Sequence, residues 1–343
     1  MTCETLFLSG FSTANDMEEP VRVARNAMAT RFEIALHGEN PVALRAAAEE
    51  ALEEIEGLES RLSLFRASSD ISRVNARAAI EPVRVQSRVF ELLKRAQLWH
   101  RETSGAFDIT IAPLMRCWGF LGGAGQMPDP KTIEEARGRV GMEKVVLDEN
   151  DFSVRFTQPG MMLDLGGVGK GYALECAVEV LMEAGVTTAL LHGGTSTIQA
   201  LGAPPGDTGW KVAIESPPSG DPTKPVPQLH EATSEQEYGP LIAVVVLRDE
   251  AMSVSGVHGK SFTEGGTTYG HVLDPRIGRP VDGALLSAVV LKSATDTDAL
   301  STALLTLGLA GCGDLVGKLP EMRYLLTGAR LPSGESPILR RGI

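Results

Sequence analysis

Residues 161–194 read MMLDLGGVGKGYALECAVEVLMEAGVTTALLHGG. The apolar end of a strand runs into a glycine loop, Gly166-Gly167-Val168-Gly169-Lys170-Gly171. An amphipathic helix of roughly 14 residues follows. A strand over Thr188–His192 and a second glycine turn, Gly193-Gly194, close the stretch as one β-loop-α-β unit. Its surroundings do not repeat that unit. Upstream, Ala27–His37 alternates as a strand, and Pro41–Arg61 and Ser87–Thr103 carry helical spacing around the polar stretch Leu62–Arg84. Thr132–Val140 reads as a short helix, and Lys144–Leu147 and Ser153–Phe156 as two strands joined by the turn DEND. Downstream come a buried strand over Ile242–Leu247, a capped helix over Asp296–Leu309 and a strand over Arg323–Thr327. Strands and helices mix without strict alternation, so the fold class is α+β, mixed sheets with flanking helices, rather than a doubly wound sheet.

The expected organisation is a loose N-terminal arm over 1–25, one two-lobed domain over 26–330 and a C-terminal tail over 331–343. Residues 216–240 are dense in Pro, Gly, Ser and charge and read as a surface insertion. With 343 residues, 43% hydrophobic and 22% charged, the chain has a globular composition. A net charge of −12 argues against a nucleic-acid backbone as partner, so any phosphate ligand needs local devices. The cysteines, Cys3, Cys117, Cys176 and Cys312, are too scattered for a zinc site or a disulfide framework. No basic n-region, long apolar run or cleavage site marks a signal peptide, and no lipid-attachment pattern precedes Cys3. As written the chain is expected to be cytoplasmic and without a transmembrane segment; a different start would leave room for export.

Four constellations can carry chemistry. In the glycine loop, backbone N–H groups, a helix N-terminus and Lys170 favour an anion such as a pyrophosphate; a tight turn with a surface lysine is the competing reading. It is not a Walker loop, since Tyr172 stands where the hydroxyl would be. In SATDTDALST, Asp298 and Thr302 lie four apart at a helix start, so their oxygens share a face that suits a hard cation, while N-capping is the competing reading for Thr295, Asp296 and Asp298. His271, just before the turn Asp274-Pro275-Arg276, has the chemistry of a general base, with Asp274 close enough either to orient it or to fix the turn; a structural histidine is the alternative. Gly105-Ala106-Phe107-Asp108-Ile109-Thr110, followed by Trp118-Gly119-Phe120, reads either as the wall of an aromatic ligand's pocket, with Asp108 accepting N–H bonds, or as core aromatics.

In that order along the chain, MATRFEIALHG, LSLFRASSDISRVN, GAFDITIAPLMRCWGF, LDLGGVGKGYA, HVLDPRIGRPV and ATDTDALSTAL resemble the FAD:protein FMN transferases, the ApbE type, over about residues 26–328. The resemblance implies a thioesterase-like (T-fold-like) core, FAD as substrate and Mg²⁺ as cofactor. It puts FAD against Met28, Phe65, Ala106, Phe107, Asp108, Asp164, Lys170 and Val272. It gives the metal to Asp298, Thr302 and the main-chain carbonyl of Gly167, and makes His271 the base. The implied reaction moves FMN from FAD to a Thr or Ser hydroxyl of an acceptor protein and releases AMP. The alternatives are a hydrolase splitting FAD to FMN and AMP, and a non-catalytic FAD carrier or assembly factor. Four positions depart from the family pattern: Gly169 for Ala, Glu175 for Asp, Ile109 for Pro and Ile277 for Thr.

Overall fold

The computed structural model describes residues 5–7, 19–216, 241–257, 259–328 and 336–343. The chain opens with β1 (Thr5–Phe7), then β2 (Val21–Ala27) and β3 (Thr30–Leu36). Helix α1 (Pro41–Leu62) begins where Asn40 caps the amide of Ala43, and Pro41 takes a first-turn position that needs no N–H. Its buried residues Leu44, Ala48, Leu52, Ile55 and Leu58 recur at helical spacing along one face. Next come α2 (Asp70–Arg77), β4 (Val83–Arg84), α3 (Ser87–Glu102), α4 (Ala112–Cys117) and α5 (Pro130–Arg137). They lead to β5 (Val145–Asp148) and β6 (Ser153–Phe156), which with β4 form a small three-stranded sheet.

The second half runs α6 (Gly169–Glu183), β7 (Ala189–Gly193), β8 (Thr197–Leu201), β9 (Trp210–Glu215), β10 (Leu241–Leu247) and β11 (Ala251–Gly256). Then come the hairpin β12 (Ser261–Glu264) and β13 (Thr267–Gly270), the pair β14 (Leu273–Asp274) and β15 (Arg279–Pro280), and β16 (Ala284–Leu291). Helix α7 (Ala294–Gly311), broken at Gly308, precedes α8 (Gly313–Lys318), β17 (Arg323–Gly328) and β18 (Ile338–Arg341).

The centre is an eight-stranded antiparallel sheet in the order β18-β17-β16-β11-β8-β7-β3-β2. Helices α1, α6 and α7 pack side by side, with α7 laid along β11 and β16. Between them lies the main core, where Phe32, Ile34, Leu52, Leu174 and Leu304 are fully buried. Each such side chain contributes roughly 1.5–3 kcal/mol by leaving water. On the opposite face, Ile198, Met252, Leu286 and Val290 meet Val212, Ile214 and Leu247 of the β1-β9-β10 sheet in a second core. Strand β16 is therefore covered on both faces, which is why it reads as an almost unbroken apolar run. A third cluster joins Leu114, Trp118, Phe120 and Ile133 to Leu273. Among the described residues no helix is long and apolar enough to cross a membrane.

Four expectations change. Residues 161–165 are not a strand; their backbone is held by other partners, described below. The arm expected over 1–25 yields Val21–Arg25 to β2, which pairs with β3 along its whole length, and Thr5–Phe7 to pairing with β9. The tail over 331–343 contributes β18, which extends the central sheet beyond β17. Strand β10 is only half-buried, because it is an edge strand with Val244 and Val246 turned outward. Of the insertion expected over 216–240, residues 217–240 lie outside the described residues.

Candidate active site

The glycine loop is placed by long-range hydrogen bonds. Asn75 of α2 brackets Leu163, accepting its N–H at 2.7 Å and donating to its carbonyl at 3.0 Å. The Asp164 N–H goes to the Ile109 carbonyl at 2.7 Å, and the Asp164 carboxylate turns back to the Gly166 N–H at 2.8 Å. Burial pushes the Asp164 carboxyl above the ordinary range. Helix α6 then starts without a side-chain cap of its own.

Its missing cap comes from α7. The Gly171 N–H, an orphan donor of the first turn, binds Asp298 Oδ2 at 3.1 Å across 127 residues of chain. The approach is so close that a Cβ at Gly171 would sit 2.1 Å from the Ala294 carbonyl oxygen, so only glycine is admitted. Lys170 Nζ stands 4.0 Å from Asp298 Oδ1 and 3.4 Å from the Gly166 carbonyl. Thr302 Oγ1 gives its hydrogen to the Asp298 carbonyl at 3.2 Å, and a Cβ on Gly167 would lie 3.4 Å from that hydroxyl. Glycine loop, lysine, carboxylate and hydroxyl thus form one polar floor. The loop can be read as an anion cradle on this geometry, because its helix N-terminus and lysine face the same place.

His271 stands on another wall of the same cavity, between β13 and β14. Its ring lies under Gly259, where a Cβ would come within 2.5 Å of Cε1, and edge-on to Phe120 at 6.5 Å. The hairpin just before it is braced by stacking of Phe262 on Tyr269 at 5.3 Å and by Trp118 against both rings, while the Trp118 indole donates to the Gly278 carbonyl of the following turn at 2.9 Å. Burial, opposed by a hydrogen bond to the Lys260 backbone and helped by the charges of Lys260 and Lys170, lowers the His271 pKa to about 4. The imidazole is therefore neutral near pH 7. Its Nδ1 is buried and has no hydrogen-bond partner among the described residues. Asp274 does not orient it, because both its oxygens bind Arg276, at 2.9 and 2.7 Å, and fix the turn.

Asp108 also departs from expectation. Its side chain is only 1% exposed. Oδ1 accepts from the Thr110 N–H and hydroxyl at 2.7 and 2.6 Å, and Oδ2 lies 3.0 Å from His100 Nδ1. The carboxylate is taken up by Thr110 of its own loop and His100 of α3. Burial opposes a charge on His100, but Asp108 and Glu143 outweigh it and raise its pKa above the ordinary value.

These walls enclose a cavity of about 330 Å³. Its lining includes Ala106, Phe107, Asp108, Asp164, Gly167, Lys170, His271, Val272, Asp298 and Thr302. Met28 and Phe65, expected against FAD, do not line it. Met28 sits at φ 49° in the turn between β2 and β3, and Phe65 lies 77% exposed beyond α1. Sequence reasoning missed Ser196, Val254 and Ser255, which also line the cavity. Ser196 follows the Gly193-Gly194 turn, the one available signal. Ser255 gave none, being a small residue on an alternating strand, yet its hydroxyl is 2.8 Å from Ser301 Oγ and 3.4 Å from Thr302 Oγ1.

Of the four departures, Glu175 is the one with a role visible near the floor. Burial works against its ionisation, but the Thr295 hydroxyl, Arg95 and Ser293 hold its carboxyl below the ordinary value. Gly169 leaves room for a methyl, which would meet only Leu165 Cβ at 3.9 Å. Ile109 is buried in the core, and Ile277 is 56% exposed.

Among the described residues no cluster of three or more His, Cys, Asp or Glu side chains is placed to hold a metal. The floor offers one carboxylate, one hydroxyl and main-chain carbonyls, all hard oxygen donors. Among the described residues Asp298 Oδ1 has only distant partners, Thr197 Oγ1 at 3.4 Å and Lys170 at 4.0 Å, which leaves it coordination capacity. That set fits Mg²⁺ if a ligand's phosphate oxygens and water complete the shell.

Fold and cavity together define an α+β protein with a polar-floored cavity whose walls carry Phe107, Ile109 and Val272. The ApbE family model matches residues 28–326, and the chain belongs to that family. It is 30% identical over 274 residues to the FAD:protein FMN transferase of Klebsiella pneumoniae (strain 342), covering 79% of this chain and 78% of that one. With the FAD:protein FMN transferase of Treponema pallidum (strain Nichols) the identity is 28%, over 88% of this chain and 83% of that one. The crystal structure of the ApbE protein of Thermotoga maritima superposes with a TM-score of 0.78 at 26% identity, covering 94% and 97%.

Proposed function

We propose that this protein transfers the FMN half of FAD to a Ser or Thr hydroxyl of an acceptor protein and releases AMP. The observation that carries the reading is the shared floor: Gly171 N–H on Asp298, with Lys170, Thr302 and Gly167 around it and His271 in the same cavity. The diphosphate of FAD would lie over the start of α6, where N–H groups, the helix dipole and Lys170 favour negative charge. Phe107, Ile109 and Val272 provide apolar surface for its aromatic parts. Asp298, Thr302 and the Gly167 carbonyl would hold Mg²⁺, which when bound neutralises charge on diphosphate oxygens.

The acceptor hydroxyl gives its proton to neutral His271 and its oxygen bonds to the FMN-side phosphorus. The bond from that phosphorus to the bridging oxygen breaks, and AMP leaves with that oxygen. No covalent enzyme intermediate is needed. In the ligand-free protein His271 is a weak base, but a diphosphate beside it favours the imidazolium and strengthens it as FAD binds. Lys170 and the loop amides stabilise charge spreading over the phosphate oxygens, where phosphoryl-transfer enzymes gain most of their rate.

The test is incubation with FAD, Mg²⁺ and candidate acceptor proteins, read by intact mass. The expected result is an acceptor heavier by one phosphoester-linked FMN, lost when the divalent ion is chelated. AMP release with no modified acceptor would replace transfer by hydrolysis. FAD binding with neither product would leave a carrier.

A further inference from the structure

A network of charged side chains ties the start of α7 to α3 and α6. Arg95 of α3 donates to Asp296 Oδ1 at 2.7 Å, to Glu175 Oε1 at 2.9 Å and to the Ser293 hydroxyl. Trp99, one turn further along α3, adds its indole N–H to the same Asp296 oxygen at 2.6 Å. Glu175 Oε2 accepts from the Ser293 hydroxyl at 2.8 Å, the Thr295 N–H at 3.1 Å and the Thr295 hydroxyl at 2.6 Å. Every partner on α7 lies at its cap or in its first turn, two to five residues before Asp298. The two carboxylates exceed the one guanidinium by a single negative charge, which the N-terminus of α7 favours.

Glu175 is four residues after Gly171, so the two share one face of α6. That face therefore grips α7 twice: Glu175 holds residues 293 and 295, and Gly171 holds Asp298 against the Ala294 backbone. We propose that Arg95 and Glu175 are positioning residues that set the register of α7 against α6, and through it the place of the Asp298 carboxylate over the glycine loop. The proposal rests on the reading of that floor as the divalent-ion and diphosphate site. Neither residue touches the cavity. The longer reach of Glu175 than of an aspartate fits this work, since one carboxylate spans from Arg95 to the α7 cap.

The test compares the full-length protein with Glu175→Gln and Arg95→Lys. Glu175→Gln removes the charge and turns an amide donor towards Arg95; Arg95→Lys keeps the charge and loses the fork. Mn²⁺ is titrated into each protein saturated with FAD, without acceptor, and followed by electron paramagnetic resonance. FAD affinity without metal and the melting temperature are measured alongside.

The expected result is about a 10-fold weaker ion affinity in each variant, the scale on which groups behind a metal ligand act. Metal-free FAD affinity stays within about twofold, and Glu175→Asp retains part of the ion affinity. Wild-type ion affinity in a folded variant overturns the proposal, whatever the melting temperature does. If one variant fails to fold, the other and Glu175→Asp decide. If the wild type itself takes up no Mn²⁺, the metal reading fails and this proposal with it, an outcome distinct from variants that bind as well as the wild type.

Discussion

Two cavities of similar size, about 330 and 320 Å³, meet at the Asp108 segment, and each has one half-buried histidine in its lining. In the first, His271 has apolar and cationic surroundings and an unpartnered Nδ1. In the second, His100 lies between two carboxylates, Asp108 at 3.0 Å and Glu143 at 3.3 Å. The second cavity's other charges are also spent: Arg137 on Glu134, Arg276 on Asp274, and Lys144 on the carbonyls of Gly138 and Val140. Volume does not distinguish the two. What does is the charge set against the histidine: the first places its imidazole in one cavity with a lysine and a carboxylate oxygen that has only distant partners, while the second sets its imidazole between two carboxylates and pairs its cations with carboxylates and carbonyls.

The largest effect that would break this comparison is on turnover. His271→Ala should lower transfer by about 10²–10⁴-fold, the range of a lost general base, with FAD binding retained. Steady-state rates and flavin titration check this, and an unimpaired rate would remove His271 from the chemistry. Gly171→Ala should destabilise the fold by about 3 kcal/mol, since a methyl would occupy the Ala294 carbonyl oxygen's place and force α6 from α7. Chemical denaturation measures it.

The two histidines should push stability in opposite directions with pH. His271 has its folded pKa depressed from 6.5 to about 4, so its contribution is complete above about 6.5 and falls as pH drops towards 4, by up to about 3 kcal/mol. His100 has its folded pKa raised, so its contribution is complete below about 6.5 and is lost as pH rises through the raised value. Denaturation curves across pH should flatten on the acid side in His271→Ala and on the alkaline side in His100→Gln. The smallest effect belongs to the second cavity. Lys144→Met should cost about 1 kcal/mol of stability, for two carbonyls losing their donor, and leave transfer at the wild-type rate.

Much of this molecule could be read in its chain. Helix α1 falls where the helical spacing over Pro41–Arg61 puts it, and α3, β6 and β17 lie within a residue of their expected bounds. The residue types of the floor were legible too, because a glycine loop opening a helix, and a carboxylate and hydroxyl four apart, are local patterns. Phe65 and Met28 show the limit. Both belong to sequence blocks that resemble the family, but whether a side chain reaches a cavity depends on how the turn carrying it is aimed.

The sequence by itself determined the α+β class, the bounds of the longer helices, the family and the chemical kinds of group available to a site. Caps, turns and apolar periodicity act over a few residues, so they are written locally. Only the tertiary structure decided that Asp298 would cap α6 from 127 residues away, that Asp108 would turn inward to Thr110 and His100, and that Glu175 would reach the start of α7. Each of those pairings is chosen by how helices and sheet pack, and packing is a property of distant segments meeting, which no local pattern encodes.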